Sequence, residues 1–92
     1  MINGDVNEFI DGLYYGNERV FVYKGIKYFI QGFLVNDKLT LFLDSWEPPS
    51  KDYLWQQAGD RKNYPVESFL NAKLFESKSF WEVEKEIEWV DD

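Results

Sequence analysis

Residues 19–44, RVFVYKGIKYFIQGFLVNDKLTLFLD, constrain the fold more than any other stretch. Two pairs of turn-forming residues, Lys24-Gly25 and Asn36-Asp37, divide runs rich in β-branched and aromatic side chains. Gly accepts a positive φ without steric cost, and Asn and Asp tolerate the left-handed region, so each pair predicts a two-residue hairpin loop. Three antiparallel strands are therefore expected, at about residues 18–24, 26–35 and 38–44. No proline interrupts them, so their ladders can run unbroken.

Two-residue loops also set the register. Tyr23 should face Ile26, Phe21 should face Tyr28, Leu34 should face Leu39 and Ile30 should face Leu43. One face then carries Phe21, Tyr23, Ile26, Tyr28, Ile30, Leu34, Leu39, Leu41 and Leu43, which is apolar enough to require a cover of helices. The other carries Val20, Val22, Lys27, Phe29, Gln31, Phe33, Thr40, Phe42 and Asp44, too aromatic for an ordinary wetted face.

Around this meander the remaining elements follow from periodicity and capping. Over residues 5–15, Val6, Phe9, Ile10, Leu13 and Tyr14 recur at three and four, which predicts an amphipathic helix capped by Asn3 or Asp5 and ended by Gly16. Gly12 inside it suggests close packing on the sheet. Two prolines make residues 45–52 a loop, residues 53–58 suit a fourth strand, and Pro65 suits the first position of a helix over 66–72. Residues 79–92, SFWEVEKEIEWVDD, admit two readings. As a helix, Ser79 and Glu82 form a capping box and Phe80, Val83, Ile87 and Val90 make one stripe; as a strand, Glu82, Glu84, Glu86 and Glu88 share a side. Helix is the preferred reading, because Glu and Lys favour it and the cap is correctly placed. The expected fold is a single α+β domain over 1–92: an antiparallel meander of three to four strands, an N-terminal helix, and one or two C-terminal helices packed on one face.

Composition limits the chemistry. The 92 residues contain neither Cys nor His, which removes disulfides, the usual zinc ligands, the commonest general base near neutral pH and every Cys or His nucleophile arrangement. No paired carboxylates span an expected cleft, and Gly25, Gly32 and Gly59 stand singly, with no phosphate-cradling loop. A non-enzymatic protein without cofactor or metal is expected, a small metal-dependent or carboxylate enzyme being the least favoured class. The N-terminal residues predict no signal peptide, no apolar run is long enough to cross a membrane, and the lack of Cys suits the cytoplasm.

The net charge of −7 is concentrated at the two ends, three acids without a base in 1–17 and eight acids against three lysines in 65–92. Nucleic acid and anionic membranes are therefore not expected as direct partners; a protein with a basic surface is. Three surfaces could meet such a partner. The first is the acidic end, Glu82, Glu84, Glu86, Glu88, Asp91 and Asp92, flanked by Trp81 and Trp89 as anchors, although a solvated charged face is its more ordinary reading. The second is the aromatic sheet face around Phe29, Phe33 and Phe42, which either packs inside the molecule or contacts a partner or a second copy. The third is a loop site in which Trp46, Tyr53 and Trp55 act as anchors.

DGLYYGNERVFVYKGIKYFIQGF and SFWEVEKEIEWVDD together resemble a group of small acidic proteins of low-GC Gram-positive bacteria and their mobile elements. That resemblance brings no activity to transfer. Inhibitors of host defence carried on phages and conjugative elements, anti-CRISPR proteins among them, share this size and acidity. The expected function is accordingly an acidic, anti-CRISPR-like inhibitor that occupies a basic nucleic-acid-binding surface by mimicry. The alternative is a housekeeping interaction module or homodimer that uses the aromatic sheet face.

Overall fold

The computed structural model describes residues 1–45 and 53–90. It is an α+β fold built on one five-stranded antiparallel sheet. Helix α1 (Val6–Tyr14) precedes the meander β1 (Arg19–Tyr23), β2 (Ile26–Val35) and β3 (Lys38–Ser45). Then come β4 (Trp55–Ala58), α2 (Val66–Asn71), α3 (Phe80–Val83), a 3₁₀ turn (Glu84–Glu86) and β5 (Glu88–Val90). The spatial order is β4-β3-β2-β1-β5.

Both hairpins follow from their turn residues. Lys24 and Gly25 take φ of 49° and 79°, and Asn36 and Asp37 take 51° and 63°. Positive φ at both central positions gives the turn whose twist matches that of the flanking strands. The resulting pairs Tyr23↔Ile26, Phe21↔Tyr28, Leu34↔Leu39 and Ile30↔Leu43 are those expected from sequence. Asp5 caps α1 by accepting from the Asn7 N–H at 2.8 Å. Gly12 is buried because the Arg19 guanidinium lies against it, where a Cβ would collide.

Two expectations are corrected. The sheet has five strands rather than three or four, and the helix expected through residue 90 stops at Glu86. Its capping box forms as expected, with the Ser79 side chain accepting from the Glu82 N–H and the Glu82 carboxylate accepting from the Ser79 N–H. Beyond Glu86 the open edge of β1 decides: Val20, Phe21 and Val22 pair with Val90, Trp89 and Glu88. A ladder that satisfies an exposed strand edge outweighs the helix preference of a few Glu and Lys residues. Val90 thereby leaves the expected stripe and lies on the sheet face away from the helices.

The core lies on one side. Phe9 and Leu13 of α1, Val66, Phe69 and Leu70 of α2, and Phe80 and Val83 of α3 pack onto Phe21, Tyr23, Ile30, Leu41 and Leu43. Aromatic rings dominate it: Phe9 meets Phe21, Phe80 and Trp89 at centroid distances of 5.8, 5.7 and 5.6 Å. The cover is incomplete, again contrary to expectation. β2 is ten residues long and spans roughly 33 Å, whereas the nine residues of α1 reach only about 14 Å. The hairpin ends outrun the helices, leaving Ile26 and Leu34 exposed on a face that should have been fully covered.

Candidate interaction surface

The expected acidic surface does not assemble as one face. Glu82 is held by the capping box and by Lys73, which together keep its carboxyl below the usual range, Lys73 contributing most. Glu84 pairs with the N-terminal ammonium of Met1. Glu86 is exposed in the 3₁₀ turn, while Glu88 opposes Val22 and so points away from the helical layer that carries Glu82. Asp91 and Asp92 lie outside the described residues.

Nor do the two tryptophans form a pair of anchors. Trp81 is half exposed on α3 with its ring edge on Phe80. Trp89 sits on the core side of β5, its ring against Phe9 and beneath the Arg19 guanidinium at 5.5 Å. The carboxylates the fold brings to Trp89 are Asp5 and Glu8 of α1, which with Asn3 and Gly4 line a shallow cleft of about 250 Å³. Sequence reading assigned Asp5 only as a cap, since nothing in the local pattern reveals that β5 will return beside α1.

The loop site is divided in the same way. Trp55 packs into the core against Phe69 at 5.7 Å, whereas Tyr53 lies on the other side of the sheet, 4.6 Å from Phe42. The fourth strand expected over 53–58 is therefore shortened: β4 begins at Trp55, and Tyr53 precedes the regular alternation. Trp46 lies outside the described residues.

The aromatic sheet face is the surface that does come together. Every buried helical side chain joins the core on the opposite side, so no helix of the described residues covers it. Phe42 is buried between the Tyr53 ring and the Phe33 ring at 5.7 Å, and Phe29 is half-buried. Phe33 is 46% exposed, and the two residues after it, Leu34 and Val35, are 63% and 40% exposed. Three consecutive apolar side chains thus stand in solvent on both faces of the β2–β3 hairpin end. Leu34 and Val35 were not among the expected site residues, because alternation placed Leu34 on the covered face. The available signal was length: a ten-residue strand beside helices of nine, six and four residues cannot be covered to its tip.

A groove of about 430 Å³ continues this surface toward β4. Val35, Thr40, Phe42 and Ala58 line it, with Asn36, Lys38, Gln56 and Gln57. Beside it, the Asp60 carboxylate accepts from the Lys62 and Asn63 N–H groups at 2.8 and 2.7 Å, which lowers its pKa and fixes the turn after β4. Arg61 in that turn lies 3.6 Å from Asp37, joining it to the β2–β3 turn by an exposed pair of little energetic weight.

No helix among the described residues is long and apolar enough to cross a membrane. Comparison with known protein families, with curated proteins and with solved structures returns no match.

Proposed function

We propose that this chain is a non-enzymatic protein-binding module whose contact surface is the β2–β3 hairpin end and the adjoining aromatic sheet face. The supporting observation is the run Phe33, Leu34 and Val35, held in a regular strand with at least 40% of each residue in solvent. Contiguous exposed apolar surface of this kind is characteristic of interaction sites. Ordered strands make it a favourable one, since little side-chain and backbone freedom remains to be lost on binding.

An anti-CRISPR-like inhibitor directed at a basic nucleic-acid-binding effector is the narrower form of this reading. It draws support from the net charge of −7 and from the exposed acids Asp5, Glu8 and Asp11 of α1. Glu82 and Glu84 contribute less, because their charge is already matched within the chain. The test is affinity capture with the wild-type chain and with the double variant Phe33→Ser, Leu34→Ser, across a salt series. A partner retained by wild type and lost by the variant is expected, with unfolding stability changed by no more than about 0.5 kcal/mol per site. Capture that survives the variant overturns the surface assignment, and capture indifferent to salt removes the acidic mimicry.

A further inference from the structure

The two edges of the sheet are treated differently. On the outer side of β5 the chain supplies its own cover: the Ile2 N–H donates to the Ile87 carbonyl at 2.8 Å, and the Trp89 N–H donates to the Ile2 carbonyl at 2.9 Å. Beyond β4 no such cover exists among the described residues. The Gly59 N–H donates to the Leu39 carbonyl, so alternation turns the backbone groups of Leu39, Leu41 and Leu43 toward β4 and those of Trp55 and Gln57 back toward β3. The N–H and C=O groups of Gln56 and Ala58 consequently point outward. Among the described residues only the Ala58 carbonyl finds a partner, its neighbour's Gln57 Nε2 at 3.3 Å.

Natural sheets blunt such an edge by keeping the strand short, with charge or proline, or by covering it with a helix or loop. The four residues of β4, Trp-Gln-Gln-Ala, carry neither charge nor proline. The groove lined by Val35, Thr40, Phe42 and Ala58 runs directly beside it. Lys38 stands at the rim of the groove and Lys62 in the turn beyond β4, and neither makes an ion pair among the described residues. With Arg61 these lysines outnumber Asp37 and Asp60 at this corner by one charge, on a chain of net charge −7.

We infer that β4 accepts a sixth strand: an extended segment of a partner protein that places an apolar side chain in the groove and a carboxylate near Lys38. Backbone pairing with Gln56 and Ala58 supplies affinity, and the alternate side chains supply specificity. A second copy of this chain fits less well. Antiparallel self-pairing centred on Gln57 would set Gln56 of each copy against Ala58 of the other, leaving the apolar floor of the groove under an amide and a methyl group. Such a four-residue contact falls well short of the roughly 1,200 Å² that stable complexes bury, and it would bring together two chains of net charge −7. The inference rests on the hairpin end and aromatic face being the contact surface, and it adds the direction and chemistry of the bound segment.

The probe is a displayed library of random linear peptides of strand length, selected on the wild-type chain. Enriched peptides should alternate apolar residues and carry an acid. Their binding should fall about tenfold on Ala58→Pro, which removes an outward N–H and leaves the β3 ladder intact, and by about fivefold or less on Lys38→Glu. Amide exchange on the wild-type chain gives a readout that needs no variant: saturating peptide should protect the Gln56 and Ala58 N–H groups. Unchanged exchange there, peptides that bind Ala58→Pro as tightly as wild type, or no enrichment over a blank surface overturns the inference. Sedimentation showing a dimer that Ala58→Pro dissociates overturns it in favour of a second copy. If peptide binding is lost with Phe33→Ser, Leu34→Ser but kept with Ala58→Pro, the contact surface stands and the added strand does not.

Discussion

The two faces of this sheet are made from similar residues and have different fates. Both carry Phe at their centres, Phe21 on the one and Phe29, Phe33 and Phe42 on the other. Phe21 is wholly buried against Phe9 of α1 and Phe75, whereas Phe33 and Phe42 opposite lie against each other and Tyr53. The difference teaches that aromatic content alone does not locate a core. What locates it is the supply of amphipathic helices, and three short ones suffice for one side.

Truncation at the centre of the covered face should be the most damaging change. Phe9 is fully buried and touches Phe21, Phe80 and Trp89, so it joins α1, α3, β1 and β5. Phe9→Ala should cost about 3–5 kcal/mol in urea unfolding, a large share of what a chain of this size possesses. The serine substitutions at Phe33 and Leu34 should cost a small fraction of that, and comparable losses on the two faces would mean that the outer face is core as well.

A smaller effect is expected where the cover reaches its limit. The Tyr64 ring rests on the backbone at Gly16 and Gly32, which are themselves joined by the Gly32 N–H donating to the Gly16 carbonyl at 3.2 Å. A side chain at residue 32 would occupy the volume of the ring. Gly32→Val should therefore destabilise by about 1–3 kcal/mol despite valine's preference for strands, and should raise the Tyr64 exposure seen in its fluorescence. Unchanged stability would show that the edge of the cover is loosely packed.

These sites also show what was legible beforehand. The meander, its register and both hairpin turns follow from local rules: Lys24-Gly25 and Asn36-Asp37 dictate turns, and the period of two dictates faces. The same holds for Ser79 and Glu82, whose capping box needs only four residues of sequence. Illegible were the features set by distant partners. Residues 88–90 become a strand because β1 has an open edge, Gly32 is required because Tyr64 arrives from 32 residues away, and Trp89 meets Asp5 and Glu8 because β5 returns beside α1. The exposed Leu34 failed for a related reason: alternation says which side a residue takes, and only the reach of the helices says whether anything lies there.

Acid provides the gentlest test of the contrast between faces, because two of the three lowered carboxylates, Glu76 and Glu82, lie off the aromatic one, the third being Asp60 in the turn after β4. Glu82 is lowered first by Lys73 and then by the Ser79 N–H; Glu76, bound 2.7 Å from Lys24, is lowered by that lysine. In both cases the folded pKa lies below the unfolded one. The stabilisation is therefore present above the ordinary carboxylate range, near pH 4.3, and is lost as pH falls through the folded values. Both groups are exposed, so the effect should be small and should shrink in high salt. The part owed to Glu76 and Glu82 should nevertheless fall on the helical side, and the part owed to Asp60 at the turn after β4. Protonation weakens the start of α3 and the tie between Lys24 and the turn after Phe75, while the Phe33, Phe42 and Tyr53 contacts are ring against ring. Amide exchange compared at about pH 5 and pH 3, after correction for the intrinsic rate, should show α3 opening more readily with β2 and β3 unchanged. Glu82→Gln keeps an acceptor for the Ser79 N–H but removes the charge, and should flatten the response at α3. A uniform loss of protection across the sheet would instead mean that helical cover and meander unfold as one unit, and the two faces would then differ in exposure without differing in stability.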